Sequence, residues 1–318
     1  MRKFFVLAFV LVQLNSYGQQ PDTLIRKLDS LSQKTDSIGE QVNNTSPDAY
    51  NESTRLTVSA FFILQGSNLK QAFTKPFHMD AKDWLTTAKF VAVIGALSIV
   101  DRPVQQFGLD MRENNRGLRG ISRQITNFGG AYEAYTLGAI GAYGWLFKNQ
   151  KMQTTTLLAV QSYITGAAVK GVVKFLTGRR RPLAVDRNMV TGNPTFLGPF
   201  QNIRNAEGKR LNGSFPSGHT TLAFAAATVY AMEYRNKPLI PVLAYTAASL
   251  IGLSRITENK HWATDVVAGA ALGYLSGRQV VNNYHRYAKL KAPQQKTSLS
   301  FTMSFANSVL SPGIVYRF

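Results

Sequence analysis

The chain is 318 residues long, contains no cysteine, and carries 36 Lys and Arg residues against 17 Asp and Glu residues. The absence of cysteine excludes disulfide bonds, thiolate metal sites and a lipidated N-terminal cysteine. The formal net charge of +19 favours an anionic partner, such as a phosphorylated substrate or an anionic membrane surface. Nucleic acid is not expected, because aromatic residues do not alternate with the basic ones as a base-stacking surface requires.

The first 18 residues have the pattern of a secretory signal peptide. A basic start precedes an apolar run over residues 4–14, and a small residue, Gly18, follows. The run is shorter than the ~20 residues of a membrane span. We therefore predict cleavage after Gly18 and export to the periplasm or cell envelope, with an uncleaved membrane anchor as the alternative.

Residues 19–82 form a polar N-terminal segment in which the sequence places no catalytic motif. Apolar residues at helical spacing predict a short helix around residues 22–42. Residues 56–64 are apolar and partly β-branched, which predicts a short strand or a packed segment.

Residues 83–290 are rich in Ala, Gly, Leu and Val and predict an all-α core, a bundle of about six helices. Recurrent small residues would let these helices approach closely. The connection over residues 183–215 is long and rich in turn residues, which is typical of a lid or binding loop. The predicted helices lie near residues 83–101, 129–148, 153–177, 219–235, 238–255 and 262–287.

Residues 291–318 form a C-terminal tail with strand periodicity. Polar and apolar residues alternate over residues 297–305, and residues 311–313 (Ser-Pro-Gly) have the composition of a turn. The pattern predicts a small β-hairpin, with residues 56–64 as a candidate partner strand.

Three short motifs carry the candidate chemistry. In the first, six residues separate Lys174 from Arg181 and Pro182, and the second is the tetrapeptide Pro-Ser-Gly-His at residues 216–219. The third runs over residues 254–265. Each motif lies at the end of an apolar segment, where helix termini would bring the three together. Jointly they supply an anion pocket with a nucleophile and a proton donor.

The third motif contains His261 and Asp265, which are four residues apart and share one helical face. A carboxylate bonded to one ring nitrogen fixes the tautomer and leaves the other nitrogen as a nucleophile. Taken alone, a capping histidine with an exposed partner is the simpler interpretation.

The second motif opens a helix with Ser217, Gly218 and His219. Backbone N–H groups at a helix N-terminus bind anions, and Gly218 lets the backbone approach a phosphate closely. Ser217 can donate one more hydrogen bond, and His219 can protonate a leaving oxygen from the side opposite His261. In isolation, the tetrapeptide would be an ordinary turn before a helix.

Lys174, Arg181 and Arg255 provide the remaining positive charge. Arginine binds phosphate oxygens bidentately, and lysine acts as a point charge. The motif spacing does not select Arg179 and Arg180, which are interpreted as solvated or membrane-surface charges.

The order and spacing of the three motifs resemble the signature of the type 2 phosphatidic acid phosphatase / vanadium haloperoxidase superfamily. The resemblance covers about residues 85–287. It implies a helical bundle of the acid phosphatase/haloperoxidase type. It also implies that His261 is the nucleophile that forms a phosphohistidine, that Asp265 orients it, and that His219 is first the acid and then the base. No metal and no cofactor are implied, and the phosphoryl oxygens would be held by Lys174, Arg181, Ser217, Gly218 and Arg255.

The expected function is therefore that of an exported phosphohydrolase acting on phosphate monoesters or diphosphates, with lipid-linked substrates favoured over small esters. Two alternatives are a vanadium-dependent haloperoxidase, which can use the same pocket, and a non-catalytic basic protein that binds the envelope. The sequence does not choose among phosphatidic acid, phosphatidylglycerophosphate, polyprenyl diphosphate, lipid A phosphates and soluble phosphomonoesters.

Membrane placement depends on the apolar blocks. Residues 90–100, 222–232 and 266–275 are shorter than a span, and the mean hydropathy of the chain is −0.10. A cleaved signal peptide followed by three spans would also place Lys174 on the cytoplasmic side. The sequence therefore predicts a periplasmic domain bound peripherally through its basic surface, with an integral membrane enzyme as the alternative.

Overall fold

The computed structural model describes residues 56–127, 133–182, 195–201, 203–204, 208, 211–291, 298–306 and 309–317. The predicted signal peptide, the predicted helix over residues 22–42 and most of the predicted loop over residues 183–215 lie outside these residues. The α-helices and strands within them are α1 Val58–Thr74, α2 Ala81–Leu97, α3 Asp101–Asn114, α4 Arg116–Asn127, α5 Glu133–Leu146, α6 Gln150–Thr177, α7 Gly218–Glu233, α8 Leu239–Thr257, α9 Ala263–Lys291, β1 Ser298–Ala306 and β2 Val309–Arg317.

Helix α7 is the centre of the bundle and packs against α6, α8 and α9. Close approach between α7 and α9 depends on small residues. A Cβ on Gly273 would lie 2.3 Å from the carbonyl oxygen of Thr221, and one on Gly277 would lie 2.6 Å from that of Ala225. Larger residues would push the two helices apart, since packed interiors have no room to absorb them. The predicted role of small residues in helix packing is confirmed.

The predicted all-α core is present, with each predicted helix found within a few residues of its expected position. Helices α3 and α4 were not predicted. Residues 56–64 were predicted to be a short strand or a packed segment. The strand is wrong, because these residues begin α1, and the packed segment is confirmed. Their buried positions, Ala60, Leu64 and Asn68, recur every four residues, which is the period of a helix. Thr57 caps α1 through an Oγ1 atom that accepts from the backbone N–H of Ala60 at 3.2 Å.

Helix α1 packs against α6 and α9, and its buried apolar residues belong to the main core cluster. The segment expected to be a polar extension therefore contributes to the bundle. Strands β1 and β2 pair antiparallel in a two-stranded sheet. The register pairs Ala306 with Val309 and Thr302 with Gly313, so the predicted turn at residues 311–313 lies inside β2. The suggested pairing with residues 56–64 is excluded by α1.

Three helical segments among the described residues are long and apolar enough to cross a membrane: Ala81–Asn114, Gln150–Thr177 and Leu239–Thr257. Along α6, the polar residues Gln161, Ser162 and Thr165 are fully buried in the bundle, whereas Phe175 is 49% exposed. These segments favour the integral membrane enzyme, given above as the alternative, over the peripheral placement. Uninterrupted apolar runs underestimate the spans, because polar residues that face neighbouring helices do not contact lipid.

Candidate active site

The three motifs meet at one end of the bundle, where α6 and α8 end and α7 and α9 begin. The backbone N–H of Ser217, which precedes α7, donates to the carbonyl oxygen of Asp265 in the first turn of α9, at 2.9 Å. The Nζ of Lys174 donates to the carbonyl oxygen of Gly213 at 2.8 Å. The helix ends thus bring together the predicted site residues, which are Lys174, Arg181, Ser217, Gly218, His219, Arg255, His261 and Asp265.

His261 and Asp265 form a buried pair. The Nδ1 atom of His261 lies 3.5 Å from Oδ2 of Asp265, and both side chains are almost completely buried. The same Oδ2 accepts from the backbone N–H of Trp262 at 2.9 Å and from the hydroxyl of Ser214. These donors hold the carboxylate toward Nδ1. With the proton on Nδ1, the Nε2 atom of His261 carries the lone pair.

The other oxygen of Asp265 binds an arginine that the motif spacing did not select. Arg179 donates from Nη1 to Oδ1 of Asp265 at 2.5 Å and from Nη2 to Oδ2 of Asp101 at 2.5 Å. Its side chain is only 1% exposed and lies over the ring of Phe196 at 4.8 Å. The interpretation of Arg179 as a solvated charge is therefore wrong. Arginine is the cation best suited to such a buried position, because its planar group binds two carboxylates at once.

A glycine positions this arginine. Gly178 ends α6 in the left-handed conformation, with φ of 51°, and its N–H donates to the carbonyl oxygen of Lys174 at 3.0 Å. A Cβ at this position would lie 2.1 Å from the carbonyl oxygen of Gly198. Only glycine fits such a turn. The chain can therefore reverse direction directly before Arg179.

Asp101, the first residue of α3, completes the network. Its Oδ1 accepts from the backbone N–H of Thr264 at 2.9 Å, and its Oδ2 accepts from the Thr264 hydroxyl at 2.6 Å. That hydroxyl also accepts from Nη1 of Arg179 at 2.6 Å. The sequence signal for Asp101 was a carboxylate directly after an apolar run; for Ser214 it was a serine just before the second motif. Neither signal distinguishes a residue whose side chain points into the site from an ordinary helix-capping residue.

The start of α7 forms the anion-binding side of the site. Ser217 is buried, makes no side-chain cap bond, and accepts from the hydroxyl of Thr220 at 2.8 Å, which leaves its own hydroxyl proton for a ligand. A Cβ on Gly218 would lie 3.4 Å from Nζ of Lys170, so this second lysine stands beside the helix start. The sequence prediction did not include Lys170. It is one helical turn from Lys174 and on the same face of α6.

The two arginines of the site have unused donor atoms. Nη1 of Arg181 is 3.5 Å from the carbonyl oxygen of Lys260, at the limit of a hydrogen bond. The Nε atoms of Arg181 and Arg255 are both buried, and no residue that the structure describes accepts from them. Phosphate oxygens are the acceptors that such guanidinium groups bind best. Within the described ranges, no group of three His, Asp or Glu side chains is arranged to hold a metal ion.

The electrostatics keep both histidines neutral. Burial lowers the pKa of His261 to about 4, although its hydrogen bond to Asp265 and the charge of that carboxylate oppose the shift. Burial, together with the charges of Arg255 and Lys174, lowers the pKa of His219 to about 3. Burial alone would raise the pKa of Asp265, but the hydrogen bond from His261 and the charge of Arg179 bring it below its ordinary value. At neutral pH the site therefore contains a carboxylate, a neutral nucleophile and a group of cations.

Comparisons with known proteins find one matching family model and several similar proteins. The sequence model of the PAP2 superfamily matches residues 155–288. The chain is 54% identical over 65 residues to the lipid A 1-phosphatase of Porphyromonas gingivalis, which covers 20% of this chain and 15% of that protein. It is 32% identical over 158 residues to lipid phosphate phosphatase 1 of Arabidopsis thaliana, covering 42% of this chain and 48% of that protein. It is 25% identical over 190 residues to the undecaprenyl-diphosphatase of Sulfolobus acidocaldarius, covering 60% and 82%. The chain thus spans less than half the length of the first two of these relatives.

Proposed function

We propose that the chain is a member of the PAP2 superfamily, whose sequence model matches residues 155–288, and that it is a lipid phosphate phosphatase. It hydrolyses phosphate monoesters or diphosphates through a phosphohistidine intermediate on His261 and needs no metal ion. The observation that carries the proposal is the geometry of the dyad. Nδ1 of His261 faces Asp265, which leaves Nε2 as a neutral nucleophile within a group of cations.

In the first step, Nε2 of His261 attacks phosphorus while the bond from phosphorus to the leaving oxygen breaks. Lys174, Arg181 and Arg255 hold the equatorial oxygens, and the backbone N–H groups at the start of α7 add their dipoles. The charge spread over these oxygens in the transition state is thereby neutralised by groups that are already in place. A divalent cation is not needed for this role.

His219 protonates the leaving oxygen in that step. Before substrate binds, burial and the neighbouring cations favour its neutral form. A phosphoryl dianion among Arg255, Lys174 and Lys170 offsets their positive charge, which raises the pKa of His219 and favours the imidazolium. The substrate therefore creates the acid that its own leaving group requires.

In the second step, His219 accepts a proton from water, and the resulting hydroxide oxygen attacks the phosphorus of the phosphohistidine. The bond between phosphorus and Nε2 breaks, inorganic phosphate leaves, and His261 returns to its neutral form. Asp265 stays ionised throughout, because Arg179, Ser214 and the N–H of Trp262 stabilise its negative charge.

A lipid substrate is supported by where the site lies. Its cations stand at the ends of α6 and α8, two of the segments long enough to cross a membrane, so a phosphorylated headgroup could reach them from the bilayer surface. The similarity to a lipid A 1-phosphatase and to an undecaprenyl-diphosphatase suggests lipid A 1-phosphate or a polyprenyl diphosphate as the substrate. We further propose export through a signal peptide over residues 1–18, an N-terminal segment 19–82, a catalytic core 83–290 to which α1 adds a helix, and a C-terminal tail 291–318.

Phosphate release by the purified protein in detergent tests the proposal. The panel should contain lipid A, undecaprenyl diphosphate, phosphatidic acid, phosphatidylglycerophosphate and an aryl phosphate, with His261→Ala as the negative control. We expect release from at least one lipid, none from the variant, and acid-labile phosphate on His261 when wild type is quenched during turnover. Absence of release from every substrate, or activity retained by His261→Ala, would contradict the proposal.

A further inference from the structure

Arg179 is the most completely buried cation near the site, and it bridges two carboxylates. Its Nη1 and Nη2 atoms each lie 2.5 Å from an oxygen, the first of Asp265 and the second of Asp101. Both carboxylates are fully buried. Transferring three charges from water is expensive, and apolar residues of similar volume often give equal or greater stability at such positions. A role in stability alone therefore explains this arrangement poorly.

The geometry points to a different role. The carboxylate of Asp265 can rotate about the side-chain bonds unless both of its oxygens are held by hydrogen bonds. Arg179 holds Oδ1, so that only Oδ2 is left to face Nδ1 of His261, the hydroxyl of Ser214 and the N–H of Trp262. We propose that Arg179 and Asp101 are positioning residues that lock the Asp265 carboxylate toward the nucleophile. This inference rests on the proposed function of His261 and Asp265.

Asp101 is necessary because Arg179 must itself be fixed. Its carboxylate binds Nη2 of Arg179 and both the backbone N–H and the hydroxyl of Thr264, the residue before Asp265. The guanidinium is also packed against aromatic rings, at 4.8 Å from Phe196 and 5.9 Å from Trp262. The position and orientation of the Arg179 guanidinium are thus fixed by the bonds of its two Nη atoms and by the aromatic rings packed against it.

Helix α3 extends this support along the loop that carries the nucleophile. Beyond Asp101, Nε2 of Gln105 donates to Oδ1 of Asn259 at 2.8 Å, and Arg112 forms an ion pair with Glu258 at 3.2 Å. Glu258 caps the end of α8, and Asn259 follows it in the short connection to His261. Asp101 and α3 lie outside the region matched by the superfamily, in the segment Ala81–Asn114 that is long enough to cross a membrane. The positioning network therefore connects α3, the helix that follows the apolar α2, to the catalytic carboxylate.

The test compares kinetics in four variants. Arg179→Met should lower kcat about 100-fold with little change in KM, because the residue contacts Asp265 and not the substrate. Arg179→Lys and Asp101→Asn should give smaller losses, since each keeps part of the network. Arg180→Met is the matched control: it is the next residue in the same basic run, it has no ion pair with any residue that the structure describes, and we expect near wild-type kcat.

A double variant separates positioning from folding. Arg179→Met leaves two carboxylates buried without their partner, whereas adding Asp101→Leu removes one of them and should raise the unfolding temperature in detergent. If the network only stabilised the fold, kcat would recover along with stability. We expect kcat to stay low. Recovery of kcat, an unchanged kcat in Arg179→Met, or a loss confined to KM would each overturn the proposal.

A readout without turnover distinguishes this inference from the proposed function. Diethylpyrocarbonate modifies neutral imidazole, and mass spectrometry resolves each histidine. Modification of His261 should be several-fold slower in Arg179→Met, while that of His78 and His285 should be unchanged. If wild type releases no phosphate from any lipid, the proposed function fails, and this reaction still decides the positioning role. Equal modification of His261 in the two proteins would contradict it.

Discussion

Replacing Asp265 by asparagine keeps the size of the side chain and removes its charge. In the wild-type protein, Oδ1 of Asp265 accepts from Arg179 at 2.5 Å, and Oδ2 accepts from the N–H of Trp262 at 2.9 Å and faces His261. Either orientation of the amide places its NH₂ group against a donor. The orientation that keeps oxygen toward Arg179 is electrostatically preferred, and it turns NH₂ toward Nδ1. The imidazole proton then moves to Nε2, which loses the lone pair that attacks phosphorus.

We therefore expect Asp265→Asn to lower kcat by at least about 100-fold, which is about 2.7 kcal/mol of transition-state stabilisation. The variant should also be less stable, because removing one partner of a buried ion pair costs about 3–5 kcal/mol. The pKa of Asp265 is lowered, so the stability it contributes is present above its unfolded pKa and is lost as pH falls through the folded pKa. The stability difference between wild type and variant should accordingly shrink in acid.

The assay is phosphate release from the best lipid of the panel, together with thermal unfolding in detergent at neutral and acid pH. Asp110→Asn is the matched control, since Asp110 is exposed on α3 and should change neither quantity. Near-normal kcat in Asp265→Asn would refute the dyad. A stability loss that is independent of pH would refute the charge argument.

The remaining predictions concern the acid, the metal, the pH profile and the membrane. His219→Ala should lower kcat about 10²–10⁴-fold on alkyl phosphates and less on an activated aryl phosphate, whose leaving group needs no proton; equal losses would argue against the acid role. Activity should survive chelator and be blocked by vanadate, a mimic of the five-coordinate transition state, so loss in chelator that a divalent ion restores would contradict the metal-free mechanism. Because burial lowers the pKa of His261 to about 4, kcat/KM should hold at neutral pH and fall as pH approaches 4, where the imidazole becomes protonated; a decline beginning above pH 6 would count against this. The protein should stay in the membrane pellet after carbonate or high-salt washing. Its release would instead support peripheral binding through the basic surface.

The sequence indicated that the motif residues would meet, but it did not indicate which residues position them. Residues such as Ser217 and His261 lie next to helix ends, and helix ends are readable from composition, so their meeting could be expected. Arg179 could not be found in this way, because three consecutive arginines follow Gly178 and spacing does not say which one turns inward. That choice depends on the left-handed turn at Gly178 and on a carboxylate, Asp101, that is 78 residues away along the chain.

The sequence favoured a peripheral placement because the direction in which a side chain points could not be predicted there either. Hydropathy counts polar residues without regard to the direction they face. In α6 the polar residues Gln161, Ser162 and Thr165 are fully buried against neighbouring helices, while Ile164 and Phe175 are exposed on its outer side. Similarly, the pattern of residues 56–64 was interpreted as a strand because it is short and apolar, and its helical period appears only once Ala60, Leu64 and Asn68 are seen to pack together.

The direction of the helices explains why one face of the bundle carries the chemistry. Helices α6 and α8 end at the site, whereas α7 and α9 begin there, so α7 leads the chain away from the site, α8 brings it back, and α9 leads it away again. Helix α7 has 16 residues, a length of about 24 Å, and most of it is buried. It therefore runs inside the bundle, where its threonines Thr220, Thr221 and Thr228 are buried. Its positive N-terminal end points into the site as a consequence, at the same level as the cations that end α6 and α8. The arrangement concentrates positive potential at one end of the bundle, where the proposed function places the phosphate of the substrate.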